Sequence, residues 1–204
     1  MGILVFVVLV IIIVTYKLYM SSGKEKISNT LDDQIQKPKE PVIRIRIFDE
    51  QYSAKTLRAR PDCLFLFGDN EDKAGTRGQA VIRHEPNAVG IVTKRRPFMN
   101  EDSFYDDEEY ESNIEAINDS FENLRKKLES SGMEYKFIFI PRDGLGTGLA
   151  QLPSRAPKTF VYILSLLYDL ASEYDPLSLE DRVGEWIQQQ TRLASEIKRK
   201  RINV

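Results

Sequence analysis

The chain has 204 residues, 42% hydrophobic and 29% charged, which excludes disorder throughout. Its 29 Lys and Arg against 31 Asp and Glu leave a formal net charge of -2, so a strongly basic, general nucleic-acid binder is excluded. The single cysteine, Cys63, and single histidine, His84, exclude a disulfide scaffold and a zinc site of Cys and His ligands from this chain. Chemistry is left to carboxylates, Lys, Arg, hydroxyls and backbone amides. No metal and no cofactor are expected.

The chain opens on an unbroken apolar run, Ile3 to Val14, with no charge before Lys17. As a helix, Met1 to Met20 would span roughly 30 Å, about one hydrocarbon core. Tyr16 and Tyr19 suit the interface, and Lys17 can snorkel. No basic stretch precedes the run and no small-residue cleavage triplet follows it, which favours a retained anchor over a signal peptide. Lys17, Lys24 and Lys26 follow the segment, so the positive-inside rule puts the bulk of the chain in the cytoplasm. The expectation is a single-pass membrane protein: an anchor over 1–20, a polar linker over 21–41 closed by Pro38 and Pro41, and a folded domain over 42–204.

Within that domain, Val42 to Phe48 alternates as a half-buried strand near a sheet edge. Cys63 to Phe67 is a short apolar run ending in Gly68, a buried strand feeding a loop. Gly78 to Arg83 opens a short helix, and Ala88 to Thr93 is strand-like. Glu108 to Ser131 predicts a helix with Ile114, Ile117, Phe121, Leu124 and Leu128 on one face, capped by Gly132. Lys136 to Ile140 is another buried strand. Pro153 to Tyr174 predicts a helix with Phe160, Ile163, Leu164 and Leu167 as its core stripe. The last helix, Leu179 to Arg201, carries Val183, Trp186, Ile187, Leu193 and Ile197 and ends in the basic cluster Lys198 to Arg201. Strands alternating with helices make the class α/β, with ligands expected at the carboxyl ends of the strands.

Two glycine-rich loops each join an apolar strand to a helix. The first runs from Gly68 through Asp69, Asn70, Gly75 and Gly78 to Gln79 and Ala80. The second is Pro141 to Ala150, with Asp143, Gly144, Gly146, Thr147, Gly148 and Leu149. Glycine lets backbone amides approach a ligand, and a helix start adds free N–H groups for an anion. One such loop reads as a tight turn; two in one domain favour a phosphate site. Neither fits G-x-G-x-x-G, and no G-x-x-x-x-G-K-[ST] is present, which argues against an NAD dehydrogenase and a P-loop NTPase. Between them lies Thr93-Lys94-Arg95-Arg96-Pro97. A lysine ending a buried strand can be a desolvated nucleophile, a point charge for phosphate, or part of a solvated basic patch.

The order of these motifs, a strand into Gly-Asp-Asn, a glycine-rich helix start, GIVTKRRP, a helix and IFIPRDGLGTGLAQL, resembles a macrodomain over about Cys63 to Leu170. It looks most like the terminal ADP-ribose glycohydrolase type, and is similar also to an uncharacterised macrodomain-like family of phage and viral genomes. The resemblance implies a three-layer α/β/α sandwich with a mixed sheet. It implies ADP-ribose or a related nucleotide diphosphate as ligand, free or on a modified macromolecule. By position, Asn70 matches the asparagine beside the distal ribose. Gly75, Gly78 and Ala80 match the approach to the diphosphate, with Gly68, Gln79 and Thr93 beside them. Gly144, Gly146, Thr147, Gly148 and Leu149 match the second phosphate loop. Lys94 matches the lysine that attacks the anomeric carbon. The acid-base aspartate of the glycohydrolase type falls on Ala150, which leaves Asp143 or Asp69 as stand-ins. A non-catalytic reader, or a domain whose glycine loops are only turns and which serves protein interaction, is the alternative.

Smaller signals have plainer readings. The acidic run Glu101 to Glu111 reads as a solvated segment, or as a shield or lid for the basic Lys94 patch. Cys63 and Trp186 are expected in the core and His84 in a structural role. The terminal basic cluster favours a helix C-terminus, or contacts anionic lipid at about 1 kcal/mol per charge.

Overall fold

The computed structural model describes residues 43–130 and 135–202. The anchor 1–20, the linker 21–41 and the Gly132 cap lie outside the described residues, as do the Lys198, Lys200 and Arg201 side chains of the basic cluster. Among the described residues no helix is long and apolar enough to cross a membrane.

In chain order the elements are β1 (Arg44–Phe48), α1 (Ala54–Arg58), β2 (Cys63–Asp69), a 3-10 turn (Gly78–Ile82), β3 (Ala88–Val92) and a 3-10 turn (Glu101–Ser103). Then come α2 (Tyr110–Ser130), β4 (Phe137–Pro141), α3 (Leu152–Arg155), α4 (Pro157–Tyr174), a 3-10 turn (Pro176–Glu180) and α5 (Arg182–Ile202). The four strands form one sheet in the order β1-β4-β2-β3, and every pairing is parallel. This corrects the mixed sheet that the resemblance implied. The first three strands are each followed by a helical connection that returns the chain to the same end of the sheet; β3 is laid down beside β2, whereas β1 to β2 and β3 to β4 each cross over one strand.

The pleat sorts the apolar residues onto two faces. Ile45, Leu64, Leu66, Ile91, Ile138 and Ile140 turn to one face and share a core with Ile117 and Phe121 of α2, Phe160, Ile163 and Leu167 of α4, and Val183 and Trp186 of α5. Phe48, Cys63, Phe65, Phe67 and Ala88 turn to the other, against Leu57 of α1 and Ala80 and Ile82 of the first 3-10 turn. That second cover is thin, and aromatic rings fill it. Phe65 packs edge-on to Phe48 at 5.2 Å and stacks on Phe139 at 5.1 Å.

Several boundaries differ from the sequence expectation for local reasons. The helix expected over Pro153 to Tyr174 is two, broken at Ala156 (φ -134°, ψ 69°). Pro157 clashes with a helical residue before it, and starts α4 at the position where the N–H that proline lacks is not needed. The helix expected from Leu179 begins at Arg182, after the Pro176–Glu180 turn. Leu193, expected in the α5 stripe, is exposed, and Ala194 is buried in its place. From Val183 the buried face runs through Trp186 to Ala194, and Leu193 lies off that line. His84, expected to be structural, is exposed. Cys63 and Trp186 are buried as expected, and β1 forms one sheet edge.

The short α1 is held by polar groups rather than by a long apolar stripe. The Ser53 hydroxyl caps its start by accepting from the Thr56 amide at 3.1 Å. The buried Asn87 amide donates to the carbonyls of Leu57, Arg60 and Cys63 at 3.1, 3.0 and 2.9 Å, tying the end of α1 to the start of β2. Asn87→Ala leaves those carbonyls under-paired in a dry site. Urea unfolding is expected to show a loss of about 2–3 kcal/mol at unchanged slope.

Candidate functional site

All four strands point the same way, so their carboxyl ends and following loops lie along one edge of the sheet. A cleft of about 1140 Å³ runs along that edge. It lies where the connections after β2 and β4 diverge, the usual place for a ligand in an open parallel sheet.

The first loop is braced from within. The Asn70 side chain donates to the Ala74 carbonyl at 2.8 Å and accepts from the Ala74 amide at 3.2 Å. Beneath it the Arg83 guanidinium pairs with Asp69 and donates to the carbonyls of Gly75 and Ala74 at 3.0 and 3.1 Å. Both charged side chains are under a tenth exposed. The absence of a side chain at Gly90 makes room for Asp69, since a Cβ there would lie 2.4 Å from its Oδ2. With Ala74 and Gly75 carbonyls turned inward to Arg83, the amides of Gly75 to Gly78 are left without acceptors among the described residues.

The second loop is braced by the Thr147 hydroxyl, which donates to the Asp143 carbonyl at 2.6 Å, and by the Trp186 indole N–H, which donates to the Arg142 carbonyl at 2.6 Å. Gly144 and Gly146 sit at φ +90° and +79°. None of the amides from Leu145 to Ala150 meets an acceptor among the described residues. A run of unpaired amides in such a loop has the chemistry to accept an anion. Gln79 joins the two loops: its Oε1 accepts from the Gly68 amide at 2.9 Å and its Nε2 donates to the Gly144 carbonyl at 2.9 Å.

Lys94 follows β3 and is 5% exposed. Its Nζ lies 3.9 Å from the Phe104 ring centre, 3.4 Å from the Leu149 carbonyl and 3.5 Å from the Met99 sulfur. No carboxylate among the described residues reaches it. Burial, and then the nearby Arg155 charge, hold the amine below the ordinary lysine range. Arg155 is itself paired with Glu101 at 2.6 Å, and Arg95 with Glu109. The acidic run thus neutralises neighbours of Lys94 while leaving Lys94 alone.

Every predicted site residue except Gly144 lines the cleft: Gly68, Asp69, Asn70, Gly75, Gly78, Gln79 and Ala80 from the first loop, Thr93 and Lys94 after β3, and Asp143, Gly146, Thr147, Gly148 and Leu149 from the second. Gly144 lies behind them, against Gln190 and Thr147. Their side chains are not equally free. The Asp69 carboxylate is committed to Arg83, Thr93 donates to the Asp69 carbonyl at 3.2 Å, and the amides of Asn70 and Gln79 serve the loops. Asp143 is exposed on the second loop. Sequence reasoning missed Arg83, Phe104, Met99 and Arg155. Arg83 alone left a local trace, four residues after Gln79.

Residues 47–166 match a family described as a family of unknown function, DUF7831. The chain belongs to that family. The DUF7831 match runs from β1 into α4 and contains every residue that lines the cleft. No curated protein and no solved structure matches the chain.

Two glycines of the second loop differ in what they tolerate. A Cβ on Gly146 would lie 3.0 Å from both Leu152 Cβ and Thr93 Cβ, at a φ that other residues avoid; one on Gly148 would meet nothing within 4 Å. Gly146→Ala is expected to cost about 2–4 kcal/mol, from left-handed strain and crowding together. Gly148→Ala is expected to leave thermal stability unchanged. Melting curves of the two variants check the contrast.

Proposed function

We propose that the chain binds ADP-ribose, or a related nucleoside diphosphate, along the carboxyl edge of the sheet. The observation that carries this reading is a pair of unpaired amide runs, Gly75 to Gly78 and Leu145 to Ala150, in two loops that line one cleft, with Gln79 fixing one loop to the other. Amides fixed in place bind an anion without reorganising, and two runs suit a diphosphate between β2 and β4. In this reading the distal ribose lies over β3 beside Lys94 and the adenosine toward β1. The macrodomain resemblance supports that direction through Lys94 and the second loop. The same reading makes the protein a single-pass, membrane-held domain facing the cytoplasm, on the strength of the apolar run Ile3 to Val14.

A second reading, removal of ADP-ribose from a modified macromolecule, is favoured by Lys94. A buried amine with no carboxylate partner is a nucleophile fit for an anomeric carbon. Its attack forms a C–N bond to the anomeric carbon and breaks the C–O bond to the modified carboxylate, which leaves as the anion while the amine gives up a proton. Water then cleaves the C–N bond to release ADP-ribose and restore the amine, and an acid-base group must move those protons. Asp69 is bound to Arg83, so Asp143 is the stand-in that retains a free carboxylate. Ala150, at the position of the glycohydrolase acid, is buried and lines the cleft next to Leu149.

Calorimetry of the full chain with ADP-ribose tests the binding reading. Micromolar affinity, about -8 kcal/mol, is expected. Gly148→Glu, at a position open to the cleft, is expected to abolish the heat without changing the melting temperature. No heat from the folded wild type would overturn the reading. For the second reading, release of ADP-ribose from a modified carboxylate is measured in Ala150→Asp. Turnover at least tenfold above wild type is expected if the chain lacks only its acid; equal rates, with binding intact, leave a reader.

A further inference from the structure

We propose that Arg155 is a positioning residue for the Lys94 amine: the two cations share the Phe104 ring, and Glu101 fixes Arg155 there. The inference concerns the chemistry of the cleft itself and holds whatever ligand fills it, so its test uses no nucleotide.

Phe104 is 3% exposed and follows the Glu101–Ser103 turn. Lys94 Nζ lies 3.9 Å from its ring centre and Arg155 Cζ 3.8 Å. One aromatic face attracts a cation, and two cations on one ring repel each other through a medium poor in water. Arg155 cannot lose its proton, so the repulsion falls on Lys94. Arg155 is held by Glu101, through Nη1 to Oε2 at 2.6 Å and Nη2 to Oε1 at 3.2 Å, and by its Nε donating to Gln151 Oε1 at 3.1 Å.

The other groups around Lys94 do not undo this. The second loop offers the Leu149 carbonyl and the following segment the Met99 sulfur, both weak partners at 3.4 and 3.5 Å. The first loop turns its carboxylates away: Glu71 accepts from the Tyr105 hydroxyl at 2.7 Å, and Asp69 is paired with Arg83. Glu109 is paired with Arg95, and Asp143 is exposed on the second loop. Among the described residues, Glu101 reaches the Phe104 ring that Lys94 sits on by way of Arg155. The Lys94 pocket thus stores a charge conflict whose relief is loss of a proton from the amine. The downward direction of the Lys94 titration agrees, with burial as the larger cause and Arg155 as the second.

Competitive labelling of the full chain with trace acetic anhydride, read at Lys94 by mass spectrometry across the neutral to alkaline range, tests the proposal. Only the uncharged amine reacts, so the midpoint of labelling against pH reports its titration. Arg155→Met is expected to raise the midpoint, cutting labelling about tenfold at a pH below it, the effect of one pH unit. Arg155→Lys keeps a cation on the ring and is expected to keep the wild-type midpoint, which a merely structural arginine would not do. Glu101→Gln, at an exposed carboxylate, keeps an oxygen that accepts from Arg155 but removes the neutralising charge, and is expected to lower the midpoint. Circular dichroism establishes that each variant is folded; if Arg155→Met is not, the Glu101→Gln shift decides. An Arg155→Met midpoint equal to wild type, or a Glu101→Gln midpoint that does not fall, overturns the proposal.

Discussion

The Gln79 side chain sits where β2 and β4 end together and serves the two backbone groups that neither strand can satisfy. The Gly68 amide and the Gly144 carbonyl lie at the divergence of the two connections, beyond the last ladder bonds between β2 and β4. Without Gln79 the Gly68 amide would be left unpaired in a half-buried position, at about 1–3 kcal/mol, and the Gly144 carbonyl would keep only the Thr147 hydroxyl at 3.3 Å. One amide, with one acceptor and one donor turned in opposite directions, pairs both and fixes the distance between the loops. The loops can then spend their remaining amides on a ligand. A glutamate there could accept from Gly68 but not donate to Gly144 while ionised, so glutamine is the residue type that the junction requires.

Two charged side chains at the same edge show opposite solutions to burial. Asp69 meets a full set of partners: Arg83, which is itself bound to two carbonyls, and its own neighbour's amide at 2.6 Å. Such a pair braces the loop, and its carboxylate is unavailable for other work. Lys94 meets a ring, a carbonyl at 3.4 Å and a sulfur, and no counter-charge. A buried charge left so poorly matched is a group held for a task, or held ready to lose its charge.

Much of this was legible in the sequence, for reasons that can be named. The runs at Cys63, Ala88 and Lys136 read as strands because a parallel sheet covered on both faces needs apolar residues on both sides. The stripe of α4 read correctly because its 18 residues cover five turns of period. The glycine loops read as a site because they followed those strands. Other features were closed to a local reading. The five residues of α1 are too few for a helical period, and Asn87, which caps it, lies about thirty residues away. Gln79 read as a ligand contact because its partner at Gly144 is 65 residues distant. The Lys94–Phe104–Arg155 arrangement joins three segments that no spacing rule connects. Sheet direction, too, was mistaken, since it depends on how each crossover packs.

The central claim is that both amide runs face one diphosphate. A crystal structure of the chain grown with ADP-ribose tests it most directly. The account predicts diphosphate oxygens within hydrogen-bond distance of amides from both Gly75 to Gly78 and Leu145 to Ala150, with the distal ribose beside Lys94. A nucleotide bound away from this edge, or held by one loop with the other turned from it, would contradict the account.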